Sequence, residues 1–190
     1  MFLAVLGSVF HARAAAEDPL ETVRSLNADL LTHDSATEVL GRWCAAHGLA
    51  DPPVIKAVRD VQIDKPADQQ VRTLLRIGPD VAVRFRRVRL VCGSHVLSNA
   101  DNWYLPGRLT PEMNRQLAVT ETPFGLVVKP LGFHRVRLEA SVLLNPAART
   151  SDASGVLRHE ALLVTADGAP FSLVVETYTV DVLALNRPDR

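Results

Sequence analysis

Between Val156 and Val180 the chain spells out a hairpin. "VLRHEALLV" and "FSLVVETYTV" are both rich in β-branched, aromatic and aliphatic residues, and "TADGAP" supplies the bend between them. Alternation along the second run places Val174, Glu176, Tyr178 and Val180 on one face, so a carboxylate stands in an apolar row. Burying an ionised carboxylate costs several kcal/mol or more without a compensating partner. Any sheet built around this strand must therefore bring a partner to Glu176, and the pair either holds the core together or acts on a ligand.

The rest of the chain supplies the sheet. Segments 71–77 and 81–92 read as strands on either side of a turn at Gly78, Pro79 and Asp80. "SNADNWYLP" is an extended piece that Pro106 ends, and "TPEMNRQLA" is a short helix with Thr110 as N-cap and Pro111 at its first position. "ETPFG" reads as a turn, after which "LVVKP" and "HRVRLEASVLL" pair as strands. In the latter, His134, Val136, Leu138, Ala140, Val142 and Leu144 fall on one side and Arg135, Arg137, Glu139 and Ser141 on the other. Two amphipathic helices come first. One opens with Asp18 and Pro19 and carries an apolar stripe at Leu20, Val23, Leu26, Leu30 and Leu31. The second opens on the Ser35 and Glu38 capping box and stops at Gly48. Segment 54–63 fits a strand or a short helix equally. Helices followed by a long antiparallel meander define an α+β domain, with helices covering one face of the sheet.

A chain of 190 residues closes one core without staples, and 47% hydrophobic residues exclude a disordered chain. Basic and acidic residues balance at 21 each, leaving no net field to attract nucleic acid or an anionic membrane. "RFRRVR" at 84–89 divides its charges between two strand faces, which argues further against nucleic acid. Any anion must be held by a specific pocket. The first 16 residues, an apolar run ending in "HARAAA", read as a secretory signal peptide cut after Ala16, although no basic residue precedes the run. Residues 17–190 then form a single domain. With a genuine leader the protein is periplasmic or secreted and contacts no membrane once the leader is removed; otherwise it is cytoplasmic. Cys44 and Cys92 are expected as free buried thiols, and no metal-ligand spacing is present.

Three charges lie among apolar neighbours of their own strands: Arg87 with Val83, Phe85 and Val91; Arg158 with Leu162 and Val164; and Glu176. Parity is consistent with one buried cluster, in which the arginines either neutralise Glu176 or hold a dicarboxylate with their guanidinium forks. Trp103 and Tyr104 are candidates for a pocket wall or for core packing.

Three stretches, "RVRLVC" at 87–92, "ETPFG" at 121–125 and "RHEALLVTADGAPFSLVVE" at 158–176, resemble in order and spacing the bacterial chorismate lyases, whose fold is shared by ligand-binding domains of some transcription regulators. The resemblance covers most of residues 81–180. It implies a chorismate lyase-like α+β fold and conversion of chorismate to 4-hydroxybenzoate and pyruvate with no metal or organic cofactor. Arg87 is then expected to hold a substrate carboxylate and Glu176 to sit by the departing oxygen, as the catalytic pair. Arg158, Thr122, Gly125 and Asn102 are the expected ligand contacts. "NADNWYLP" departs from the family by carrying Asp101 and Asn102 where an arginine is usual. The competing expectation is a non-catalytic binding protein, exported if the leader is genuine, for a small aromatic or carboxylate ligand. In a third, Arg87 and Glu176 serve stability alone.

Overall fold

A computed structural model describes residues 18–144 and 155–183. The leader expected at 1–16 lies outside the described residues. Six strands form one antiparallel sheet: β1 (Ile55–Arg59), β2 (Arg84–Cys92), β3 (His95–Tyr104), β4 (His134–Val142), β5 (Leu157–Val164) and β6 (Pro170–Tyr178). They lie in the order β1-β2-β3-β6-β5-β4, so the β5–β6 hairpin packs its β6 against β3 at the sheet centre.

The two N-terminal helices, α1 (Pro19–Thr32) and α2 (Ala36–Ala46), begin where their caps place them. The Asp18 carboxylate accepts from the Leu20 N–H and the Ser35 hydroxyl from the Glu38 N–H. Val23, Leu26 and Leu30 of α1, and Val39, Leu40, Trp43 and Cys44 of α2, bury against Val88, Leu90, Ala100, Leu157 and Tyr178. On the same face, α4 (Pro111–Val119) and α5 (Phe124–Val128) cover Tyr104, Ala161, Leu163 and Val174.

Two expected strands are helices instead. Residues 71–77 fall largely in α3 (Gln69–Leu75), because the Asp68 carboxylate caps the Val71 N–H at 2.8 Å and Arg76 closes the helix in the left-handed conformation, φ 56°. The spacing of Val71, Leu74 and Leu75 then covers the opposite face of the sheet, over Trp103, Leu162 and Leu173. "LVVKP" belongs to α5 and a following 3-10 turn, with Gly132 at φ 60° ending the turn before β4. A short apolar run bounded by Pro and Gly does not distinguish a buried helix from a strand by periodicity.

The cysteines also differ from expectation. Cys44 of α2 and Cys92 of β2 are joined as a disulfide with Cα atoms 6.4 Å apart, both wholly buried. No helix among the described residues is long and apolar enough to cross a membrane.

Candidate functional site

The partner required by Glu176 is Arg135. The two side chains are 8% and 9% exposed, and Arg135 Nη2 donates to Glu176 Oε2. The Tyr178 hydroxyl donates to the same oxygen at 3.2 Å, its phenol held protonated by burial and by the neighbouring carboxylate. Burial works against the charge on Arg135, but the Glu176 carboxylate more than offsets it and raises the guanidinium pKa.

Arg87 and Arg158 are not there, and the strand register gives the reason. Val88 pairs with Ala100 and Ala100 with Glu176, a row on the face covered by α1, α2, α4 and α5. Arg87 pairs with Asp101 and Asp101 with Val175, a row on the other face. Arg87 donates to Asp101 through Nε at 2.5 Å and Nη2 at 2.6 Å, and Lys65 joins the same carboxylate at 2.6 Å. Arg158, opposite Thr177, binds Glu139 at 2.6 Å and Glu160 at 2.9 Å on that other face. The two expected guanidinium forks thus sit in separate ion clusters across the sheet from Glu176.

What faces Glu176 is a cavity between the α1–α2 corner, α5 and the sheet. Its volume is about 40 Å³. Asp34 to Thr37, Arg86, Asn102, Phe124, Gly125, Phe133, Arg135, Val174 and Glu176 line it with Val88, Leu90, Ala100 and Leu163. Of the expected contacts, Asn102, Gly125 and Glu176 are therefore brought together. Thr122 stands behind the wall, its carbonyl 3.5 Å from Arg86 Nη2. Trp103 is core on the far face, its indole N–H donating to the Lys65 carbonyl at 2.8 Å, and Tyr104 packs 5.3 Å from Phe124, ring to ring.

Arg86 and Arg135 escaped sequence reasoning. Arg86 shares its parity with Val88, Leu90 and Cys92, whereas Arg87 shares its own with Phe85 and Val91. Because helices cover both faces of this sheet, apolar company does not tell the two arginines apart. Arg135 lies on the side of β4 opposite its apolar residues, with Arg137, Glu139 and Ser141. That edge strand reverses the usual signal: Val136, Leu138 and Val142 are 45%, 41% and 41% exposed. A bulge between Arg137 and Glu139 also breaks the alternation on which a single apolar face depends.

The polar groups at Arg86 are unusual. This side chain is 4% exposed, and its Nε and Nη1 have no hydrogen-bond partner among the described residues. Burial, aided by the nearby Arg59 charge and only partly countered by Tyr104, lowers its pKa to about 10. Asn102 lies directly opposite in the β2–β3 register. Its Oδ1 accepts from the Ser172 hydroxyl at 2.6 Å, which leaves Nδ2 unpaired. Three orphaned donors on two cross-strand neighbours thus share the lining of one cavity, beside the first turn of α2. No group of three or more His, Cys, Asp or Glu among the described residues is placed to hold a metal ion.

Behind the ion pair lies His159, 1% exposed and opposite Glu176, with Nε2 2.8 Å from Asn27 Oδ1 of α1. Burial lowers its pKa to about 4; Glu176 opposes the drop, and Arg135 and Arg137 add to it. An unfolded histidine takes up its proton near 6.5. Between about pH 6.5 and 4 the unfolded chain therefore binds more protons, and stability falls as pH is lowered through that window before levelling below it. Urea midpoints measured from pH 7 to 4 should decline in the wild type and decline less in His159→Gln; parallel curves would assign the acid sensitivity to other groups.

The fold resembles the chorismate lyase-like effector domains found in GntR-family transcriptional regulators. PhnF from Mycobacterium smegmatis superposes with a TM-score of 0.54 at 16% identity, over 84% of this chain and 70% of that one. Its effector domain alone gives 0.51 at 17%, over 78% and 90%. YydK from Bacillus subtilis gives 0.47 at 14% over 72% of this chain, which spans 62% of that protein. No protein-family model matches the chain. By sequence the chain belongs to the family of the uncharacterized protein y4mC of Sinorhizobium fredii (strain NBRC 101917 / NGR234), being 43% identical over 187 residues that cover 90% of this chain and 79% of that protein.

These findings overturn the expected enzyme. The solved structures named above are regulators or their effector domains, not lyases. The two arginines expected to hold a dicarboxylate face away from the cavity. Lyase activity, with 4-hydroxybenzoate and pyruvate as its products, does not carry over.

Proposed function

We propose that this protein is a non-catalytic binding domain for a small carboxylate with an apolar body, held in the cavity between the α1–α2 corner and the sheet. The carrying observation is the set of orphaned donors, Arg86 Nε and Nη1 with Asn102 Nδ2. A buried donor left unmade costs about 1 to 3 kcal/mol, more when charged, and a carboxylate satisfies several such donors at once. The first turn of α2 adds the partial positive charge of a helix N-terminus at Ser35 to Thr37. Phe124, Phe133, Leu163 and Val174 offer apolar surface to the rest of the ligand. The small cavity favours a short acid or one ring over a larger metabolite. The effector domains that share the fold support binding without turnover. The buried disulfide supports an oxidising compartment, in keeping with an exported protein.

Calorimetric titration with propionate and benzoate tests the reading. Saturable binding that disappears in a folded Arg86→Met variant is the expected result. Binding of equal strength in that variant, or none in the wild type, sinks it.

A further inference from the structure

Three ionic side chains from three strands meet at the cavity: Arg86 of β2, Arg135 of β4 and Glu176 of β6. Arg135 and Glu176 already form a buried pair, and Glu176 Oε2 accepts from the Tyr178 hydroxyl as well. Among these three one guanidinium is thus neutralised from within and one positive charge remains, on Arg86, while the Asp34 carboxylate at the mouth brings the ionic lining as a whole to two positive and two negative charges. The partial positive charge at the start of α2 does not add a second, because the Asp34 carboxylate lies beside it at the mouth and accepts from the Arg135 N–H at 2.8 Å.

We infer that Glu176 sets the charge selectivity of the cavity, which accepts small monoanionic carboxylates and rejects dianions. The inference rests on the carboxylate site at Arg86 and adds what that site excludes. A first carboxylate fills the Arg86 and Asn102 donors. A second would have to displace Glu176 from Arg135 or lie against it, and like charges held together in a poorly hydrated site cost several kcal/mol. Glu176 thereby acts as a specificity residue without donating anything to the ligand. The same reasoning excludes a protein that merely senses total anionic charge, since a pocket with two free guanidinium forks would favour the dianion.

The experiment compares dissociation constants for propionate against malonate, and benzoate against isophthalate, at neutral pH. It uses wild type, Glu176→Gln and the double variant Arg135→Met/Glu176→Gln. The wild type should prefer each monoanion by at least about tenfold. Glu176→Gln, which frees Arg135, should reverse or erase that preference. The double variant leaves Arg86 as the one positive charge of the three and should return to the wild-type order. Dianions that bind the wild type as tightly as monoanions overturn the inference while leaving the Arg86 site standing, and this outcome is readable whether or not the single variant folds. An unchanged preference in a folded Glu176→Gln protein overturns it too. Loss of all monoanion binding in the wild type brings down the Arg86 site itself, and the inference with it.

Discussion

Arg86→Met is expected to melt at a higher temperature than the wild type at neutral pH while losing carboxylate binding. Burial lowers the pKa of Arg86 to about 10, so the folded protein holds this charge less readily than the unfolded chain does. The difference is roughly 3 kcal/mol against folding. Because the folded pKa of this cation is depressed, the cost is fully present below about pH 10 and fades as pH rises above it towards the ordinary range of arginine. Methionine matches the length of the arginine stem and needs no hydrogen bonds, and replacing buried ionic groups with apolar ones is often stabilising by about 1 to 4 kcal/mol. What it gives up is the 3.5 Å contact to the Thr122 carbonyl, which is too long to contribute much. In a domain of this size each kcal/mol moves the melting temperature by about 2 to 4 °C, so a rise of several degrees is the expected reading. A lower melting temperature, with the fold intact by circular dichroism, would mean that Arg86 is compensated without a ligand.

Breaking the Cys44–Cys92 disulfide should have the largest effect on stability. It closes a loop across a sequence separation of 48 residues, for which the chain-entropy estimate is roughly 4 kcal/mol. Its anchors are the C-terminal half of α2 and the last residue of β2, so the bond fastens a helix that helps build the cavity mouth to the strand that carries Arg86. Cys44→Ala/Cys92→Ala, or wild type held in excess reductant under denaturing titration, should lose on the order of 10 °C in melting temperature. Indistinguishable melts of oxidised and reduced protein would show that core packing alone holds α2 in place.

The sequence disclosed the helices with caps and the strands with turns, because both signals are local. Asp18, Ser35 and Thr110 each cap the helix they announce. It did not disclose α3 and α5, whose few apolar residues fit either period and whose identity is decided by what they cover. At the site, Glu176 was legible as a charge that needed a partner, and Asn102 and Gly125, expected as ligand contacts, line the cavity it faces. The partner was not, since facing is a property of register between strands. A one-residue difference in parity separates Arg86, in the cavity, from Arg87, bound to Asp101 behind it. Arg135 was hidden by its place on an edge strand, where exposed valines and leucines imitate a core face.

That edge position has a consequence for timing. Edge strands open locally more readily than central ones, and β4 is paired on one side only, to β5. On the proposed reading, an opening of β4 withdraws Arg135 and leaves Glu176 as an uncompensated negative charge beside the carboxylate site, so fraying of the edge is expected to hasten release of the ligand.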